Sequence, residues 1–198
     1  MGEVLGTGPF PAGVRNHIVP STNGDATLKL LEGLEPDVLC VYGTAIVSDR
    51  LLARARRVAL NLHTGISPRY RGADCYFWPL VRDEPQYVGA TVHVCTSDID
   101  GGHIYSTARA RLEPDDGVRA LFARTVAVGA ELYAQVVTDI LSGVATATPQ
   151  ELTHGVEYRV AMRTWRHELA VWVKLRRGLV RDYVAAGQPA EWNCEPSR

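Results

Sequence analysis

An amide and an imidazole, the side chains of Asn61 and His63, lie two residues apart near the middle of the chain. The apolar run 58–60 before them predicts a buried strand, on which side chains two apart point to the same face. Gly65 and Gly72 follow and predict that the chain then turns. An amide can donate to a developing oxyanion, and an imidazole can move a proton near neutral pH. The pair therefore predicts a site that acts on a carbonyl group.

A second polar segment contains the carboxylates that such a site could use. Residues 88–95 alternate between apolar and polar side chains, which predicts a strand with His93 on its polar face. The loop 96–102 follows, with Asp98, Asp100 and two glycines. A carboxylate beside an imidazole raises the pKa of the imidazole and can relay protons. Asp98 could equally be a turn former and His93 a structural histidine. The residues alone indicate an acyl-transfer site made of an amide, an imidazole and a carboxylate.

The two segments together resemble folate-dependent formyltransferases, the family of glycinamide ribonucleotide transformylase, methionyl-tRNA formyltransferase and the sugar N-formyltransferases. Residues 61–72, with Asn-Leu-His and then Ser-Pro-Arg-Tyr-Arg-Gly, are similar to the family's Asn-x-His and Leu-Pro-x-x-x-Gly motif. Residues 89–104 are similar to its Gly-x-Thr/Ser-x-His and Asp-x-Gly segment. Two motifs in the right order and at the right distance make the resemblance specific, and it covers about residues 36–142.

The resemblance implies an α/β fold, the Rossmann-like formyltransferase fold with a mostly parallel sheet. Sequence patterns predict helices over residues 25–34, 49–55, 74–81 and 115–141, and strands over residues 38–42, 58–62, 88–95 and 104–112. Residues 14–19 could add a strand. Measured against the family, the chain starts at what would be the third strand, so the first βαβ unit is expected to be absent. Residues 1–142 are expected to form this shortened catalytic domain, and residues 143–198 a helical and irregular extension packed on it.

The resemblance also implies a reaction, the transfer of a formyl group from 10-formyltetrahydrofolate to a primary amine, with tetrahydrofolate as product. The catalytic residues that it implies, which would stabilise the tetrahedral intermediate and relay protons, are Asn61, His63 and Asp100. The cofactor-binding residues that it implies are Ala45, Ile46, Val47, Asp98, Ile99 and Asp100. Because the acceptor amine attacks directly, no serine or cysteine nucleophile is required.

The acceptor side resembles the sugar N-formyltransferases, because aromatic and basic residues follow the first motif. The substrate-binding residues expected from this likeness are Arg69, Tyr70, Arg71 and Trp78. Core packing is the favoured interpretation of Trp78, and the two arginines could equally be surface charges beside a turn. The expected acceptor is an amino sugar linked to a nucleotide. A net charge of −1 gives no general attraction for nucleic acid, so no nucleic-acid partner is expected.

Three other interpretations stay open. The chain could hydrolyse formyltetrahydrofolate or formylate another small amine. It could be a catalytically silent module that binds folate or a partner, which the expected loss of the first βαβ unit would favour. It could also be a structural α/β protein with an accidental Asn-x-His pair, which the two matching motifs disfavour.

Composition and the remaining segments complete the expectations. No apolar run approaches the length of a membrane span, and no secretory signal is recognised, so a cytoplasmic protein without membrane contact is expected. Four cysteines without paired spacing predict no metal site and no disulfide framework. Helices are predicted at residues 164–177 and 179–185, where Trp165 and Trp172 could contact a second copy in a homodimer.

Overall fold

Six strands and six α-helices lie within residues 13–188, the part of the chain that the structure, a computed structural model, describes. The strands are β1 (Val38–Val41), β2 (Val58–His63), β3 (Tyr70–Gly72), β4 (Gly89–Val94), β5 (Ile104–Arg109) and β6 (Val156–Tyr158). The helices are α1 (Asp25–Leu34), α2 (Asp49–Leu52), α3 (Trp78–Val81), α4 (Val118–Leu141), α5 (Trp165–Arg176) and α6 (Leu179–Ala185). Residues 14–19 form no strand, and α1 is the only helix or strand that the described chain has before β1.

The central sheet has the strand order β1-β2-β4-β5, and the α/β fold class is confirmed. The sheet is mixed rather than mostly parallel, since β1 runs parallel to β2 while β4 runs antiparallel to both β2 and β5. A parallel pair requires a crossover connection, which α2 provides between β1 and β2. The loop 95–103 instead joins the adjacent ends of β4 and β5, so these strands must run in opposite directions. A second small sheet pairs β3 with β6 in parallel.

Two helices begin later than the sequence predicts, because turns precede them. Asp74 has a φ of 57°, a left-handed conformation that an α-helix excludes, so α3 starts only at Trp78. The Asp116 carboxylate accepts the Glu113 backbone N–H at 2.7 Å, which closes a turn ahead of α4. Helix α4 therefore starts at Val118.

Helix α4 covers one face of the central sheet with apolar residues spaced four apart, which are Leu132, Val136 and Ile140. The sheet residues in the same core cluster are Leu60, Leu62, Ala90, Val92 and Ala108. Burying each large apolar side chain contributes roughly 2 kcal/mol. At Gly129 an added Cβ would lie 2.9 Å from a methyl carbon of Leu62, so the missing side chain allows this close approach. By length and composition alone α4 could cross a membrane, but its apolar stripe faces the sheet, as in the core helix of a globular fold.

Helices α5 and α6 share a second hydrophobic core with the segment around α3. Phe77 and Leu80, beside and within α3, are fully buried together with Val171 of α5 and Val180 of α6. Helices α5 and α6 therefore pack against α3, and the division of the chain into residues 1–142 and an extension of residues 143–198 stays a prediction.

Candidate active site

Strands β2 and β4 place three of the polar side chains at one point of the sheet. Their antiparallel register sets Asn61 directly opposite His93. His63 follows on β2, two residues after Asn61 and on the same face. The loop 95–103 then brings Asp100 to these side chains through a left-handed turn, with φ of 47° at Asp100. The structure thus brings together Asn61, His63 and Asp100, and adds His93 to them.

The Asp100 carboxylate is the centre of this cluster and receives four polar contacts. Its Oδ1 atom lies 3.1 Å from Asn61 Nδ2 and 3.3 Å from His93 Nε2. Its Oδ2 atom lies 3.1 Å from His63 Nδ1 and accepts the Gly72 backbone N–H at 2.7 Å. Both oxygens of a largely buried carboxylate are therefore engaged, which fixes its direction.

Asp100 is ionised in this surrounding. Burial by itself would raise the pKa of the carboxyl group, but the His63 ring, the contact with His93 and the Gly72 N–H favour the charged form and lower the pKa to about 2. A permanent negative charge therefore lies against the His63 ring at neutral pH.

The lowered pKa of His63 favours a neutral imidazole, and both of its ring nitrogens face hydrogen-bond acceptors. Burial lowers the pKa of the His63 ring, and the nearby Asp100 charge and the Tyr70 carbonyl oppose this effect. The Nε2 atom lies 2.9 Å from the Tyr70 carbonyl oxygen, and the Nδ1 atom faces Asp100. Because a neutral imidazole carries only one N–H, it can donate to only one of these two acceptors. A proton taken from a substrate would find the second acceptor already in position.

The Asn61 amide is held by its two neighbours. Its Nδ2 atom lies 3.1 Å from Asp100 Oδ1 and 3.1 Å from His93 Nε2. The Nδ1 atom of the His93 ring lies 2.8 Å from the Val94 carbonyl oxygen, so the backbone holds the ring on its other side. To donate to an oxyanion, Asn61 must give up one of its two contacts.

A cavity of about 710 Å³ opens beside the cluster. The residues for which cofactor binding was expected line this cavity, together with the cluster itself; they are Ala45, Ile46, Val47, Asp98, Ile99 and Asp100. Val47 is buried against the apolar cluster of Leu28 and Leu51, whereas Ile46 remains 68% exposed at the rim. The volume and the mainly apolar wall with few polar groups suit a small organic ligand.

The structure places four of the residues expected to bind the substrate outside the cavity lining, so their role stays a prediction; they are Arg69, Tyr70, Arg71 and Trp78. Arg69 and the Tyr70 hydroxyl both donate to the Glu84 carboxylate, and Tyr70 is fully buried. Sequence spacing does not indicate that Glu84, which follows α3, is the partner of these two side chains.

The other two residues hold loops in position. Arg71 is 8% exposed and donates to the Ile99 carbonyl oxygen at 3.5 Å and to the Leu152 carbonyl oxygen at 3.4 Å. Trp78 donates its indole N–H to the Ala73 carbonyl oxygen at 3.0 Å. Trp78 is buried in a hydrophobic cluster, as the core-packing interpretation of this residue predicts.

Sequence reasoning left three positions out of the set of site residues. His93 lies in the cluster, and its place on the polar face of a predicted strand was the available signal. Thr91 donates to the Gly65 carbonyl oxygen at 2.7 Å and accepts the Ser67 N–H at 3.0 Å, which pins the first loop. Tyr158 lines the cavity from β6, far along the chain, where only folding could bring it. Within residues 13–188, no group of three or more His, Cys, Asp or Glu side chains is arranged to hold a metal ion.

Comparison with known proteins identifies a family to which this chain is similar. The sequence model described as formyl transferase matches residues 16–137. A methionyl-tRNA formyltransferase of Acidothermus cellulolyticus is 35% identical over 134 residues, which make up 67% of this chain and 40% of that protein. The chain spans about two fifths to half of the length of such curated relatives.

Solved structures agree with the family match. The formyltransferase PseJ from Anoxybacillus kamchatkensis, in complex with UDP-4,6-dideoxy-4-formamido-L-AltNAc and tetrahydrofolate, superposes with a TM-score of 0.56 at 26% identity, over 64% of this chain and 66% of that one. The phosphoribosylglycinamide formyltransferase from Streptococcus pneumoniae gives a TM-score of 0.52 at 28% identity, over 59% of this chain and 64% of that one.

Proposed function

Since this chain belongs to the formyl transferase family, we propose that it transfers the formyl group of 10-formyltetrahydrofolate to a primary amine, the amino group of a nucleotide-linked amino sugar. One observation carries the proposal. An ionised, buried carboxylate at Asp100 contacts an amide and an imidazole at the wall of a cavity large enough for a small organic substrate.

Three side chains of the cluster, those of Asn61, His63 and Asp100, each have a role in this reaction. The bound formyl donor supplies an acyl carbon that the amine attacks, so that a new C–N bond forms and the bond to the folate nitrogen breaks. Asn61 donates an N–H to the oxygen that becomes negative, an interaction worth roughly 3 kcal/mol for one well-placed donor. His63 takes the proton that the amine loses, and Asp100 stabilises the resulting imidazolium. The same ring then returns a proton to the leaving nitrogen.

The cavity wall supports folate as the formyl donor. Ala45, Ile46 and Val47 form one side and present apolar surface and backbone groups. Asp98 and Ile99, on the loop that carries Asp100, form another. An aromatic ring system held between these two loops would have its reactive nitrogen close to the cluster.

Other residues of the cavity lining support a polar, nucleotide-linked acceptor. Tyr76 and Phe122 supply aromatic surface, and Arg159 supplies a guanidinium whose side chain is 76% exposed. Aromatic rings and arginine are the groups that bind bases and phosphates. PseJ, which was solved with a UDP-linked formamido sugar, is consistent with this acceptor class.

Methionyl-tRNA is the second candidate acceptor, because methionyl-tRNA formyltransferases are among the curated relatives. The net charge of −1 disfavours it, since binding to a phosphate backbone draws on an excess of Lys and Arg. A small-molecule acceptor without nucleic-acid or membrane contact, a cytoplasmic location and a homodimer remain parts of the proposal.

The test is turnover of the purified protein with 10-formyltetrahydrofolate. Nucleotide-linked amino sugars, glycinamide ribonucleotide and charged methionyl-tRNA are supplied one at a time, and mass spectrometry follows tetrahydrofolate and the formylated product. Product from an amino sugar alone supports the proposal, and product from another acceptor replaces the substrate class. Tetrahydrofolate and formate without an acceptor product would identify a hydrolase. Folate binding without any turnover would identify a silent module.

A further inference from the structure

A segment that follows the family match contacts both the loop after β2 and the loop that carries Asp100. We call residues 148–158 the strap. Its start pairs with the start of β5 through two backbone hydrogen bonds of 2.8 Å between Thr148 and Ile104. Its middle meets Arg71 at the Leu152 carbonyl oxygen, and its end forms β6. The strap therefore contacts both the loop after β2 and the loop that carries Asp100.

One side chain of the strap, that of Gln150, forms hydrogen bonds to the turn at Asp100. The Gln150 amide nitrogen donates to the Asp100 carbonyl oxygen at 2.7 Å and to the Gly102 carbonyl oxygen at 2.5 Å. Both N–H groups of one amide thus hold the two ends of a three-residue turn. On its other side this turn packs tightly, because a Cβ at Gly102 would lie 1.9 Å from the Val94 carbonyl oxygen.

Gln150 bonds to a turn whose backbone is left-handed at Asp100. The φ of 47° at Asp100 is a left-handed conformation, which costs an ordinary residue on the order of 1 kcal/mol. The same conformation directs the side chain to the Gly72 N–H and the His63 ring. A change in the backbone at this residue would therefore swing the carboxylate away from both.

We propose that Gln150 is a positioning residue for the reaction: by holding the Asp100 and Gly102 carbonyl oxygens, its amide keeps the Asp100 carboxylate aimed at His63 and Asn61. Gln150 does not line the cavity, so it acts through Asp100. Misplacement of a reacting group by about 1 Å can cost on the order of 10²-fold in rate. The kinetic part of this inference rests on the proposed function, whereas its geometric part does not.

The chain offers a matched control at Gln188. That amide also bonds to the backbone, donating to the Leu112 carbonyl oxygen at 2.6 Å and accepting the Leu112 N–H at 2.8 Å. It lies outside the cavity lining. Replacing either glutamine by leucine removes two backbone contacts, but only one of the two replacements touches the Asp100 turn.

The experiment compares Gln150→Leu, Gln150→Glu and Gln188→Leu in the full chain. It measures kcat, KM for 10-formyltetrahydrofolate, the melting temperature and the His63 pKa from NMR titration of the imidazole. Both Gln150 variants are expected to lower kcat at least about tenfold, which corresponds to about 1.4 kcal/mol of activation free energy, with little change in KM. Gln150→Glu loses activity because a carboxylate cannot donate to two carbonyl oxygens.

The His63 pKa should fall in both Gln150 variants, since the displaced Asp100 carboxylate no longer stabilises the charged ring. Gln188→Leu should lower only the melting temperature.

The outcomes separate the two proposals. Equal kcat and equal His63 pKa in Gln150→Leu and Gln188→Leu would overturn the positioning role. Loss of the fold in both Gln150 variants, with Gln188→Leu folded, would overturn it in favour of a purely structural role. If the wild-type protein turns over no acceptor, the proposed function fails, and the His63 titration still decides whether Gln150 positions Asp100.

Discussion

At the scale of single residues, the Asp100 carboxylate links every other part of the site. It contacts Asn61, His63 and His93 and accepts the Gly72 N–H. Its pKa of about 2 keeps it charged at any pH at which the protein would work. The pKa of the buried His63 ring lies below its ordinary value, so the ring can accept a proton at neutral pH. The pair is therefore suited to receive a proton and pass it on.

The first prediction is that Asn61→Ala, His63→Ala and Asp100→Ala each lower kcat by about 10²-fold or more while the protein stays folded, because each removes a group acting on the reacting atoms. Steady-state turnover and circular dichroism measure the two effects. Asp115→Asn, on an exposed carboxylate outside the cavity, is the control and should keep full activity. Normal turnover in all three variants would refute the proposed mechanism.

The second prediction concerns stability at acid pH. The pKa of Asp100 is lowered in the folded state, so its contribution is present above the ordinary value of 3.8 and is lost as the pH falls toward about 2. A shift of this size corresponds to roughly 2 kcal/mol. Urea unfolding at pH 7, 4, 3 and 2 should show a steeper loss of unfolding free energy for the wild type than for Asp100→Asn. Parallel curves for the two proteins would contradict the prediction.

At the scale of elements, the antiparallel pairing of β2 with β4 and the parallel pairing of β3 with β6 decide which loops meet. The first pairing sets Asn61 opposite His93. The second brings the strap to the loop that follows β2, and Gly72 is the contact point. Its φ is 87°, and an added Cβ would lie 2.1 Å from the Tyr158 carbonyl oxygen. Only glycine can hold β3 this close to β6 while its N–H reaches Asp100.

The third prediction follows from this contact. Gly72→Ala should destabilise the protein by more than about 1 kcal/mol and lower kcat, because the backbone must move away from Tyr158 and Asp100. Gly33→Ala is the matched control, since this helical glycine has open space at its Cβ position and should gain about 0.5–1 kcal/mol. Chemical denaturation compares the two variants. A Gly72→Ala protein as stable as the wild type would mean that β3 and β6 can separate without cost.

At the scale of the whole molecule, two of the three hydrophobic clusters of the described residues support the two sides of the site. One lies between α4 and the central sheet and fixes β2 and β4. The other joins β3 and α3 to the C-terminal helices α5 and α6. The extension thus supports the loop side of the site, and it leaves Trp165, Leu169 and Trp172 of α5 exposed by 69%, 51% and 55%. These three residues follow the spacing of one helical face.

The homodimer stays a prediction, and this exposed face of α5 is where a second copy is expected to pack. Analytical ultracentrifugation of the wild type should then give the mass of two chains, and Trp172→Glu should give the mass of one. Val144→Glu places the same charge on an equally exposed apolar residue elsewhere and should leave the mass unchanged. A monomeric wild type at micromolar concentration would exclude this contact.

The sequence by itself determined most of the elements and predicted which side chains meet in the cluster. Apolar periodicity located α1, α4, α6 and the central strands within a few residues, because local burial patterns set secondary structure. The two motifs identified the family, and they named Asn61, His63 and Asp100 together. These are properties of short segments, which a single sequence displays directly.

Only the tertiary structure decided the direction of the strands and the partners of the charged side chains. Glu84 binds Arg69 and Tyr70, and Gln150 holds the Asp100 turn. Each of these contacts joins residues far apart in the chain, and the one that forms depends on packing between elements. Each buried polar group needs a hydrogen-bond partner, and several carboxylates and amides in the chain could serve. Sequence spacing does not reveal which of them lies close enough to bind.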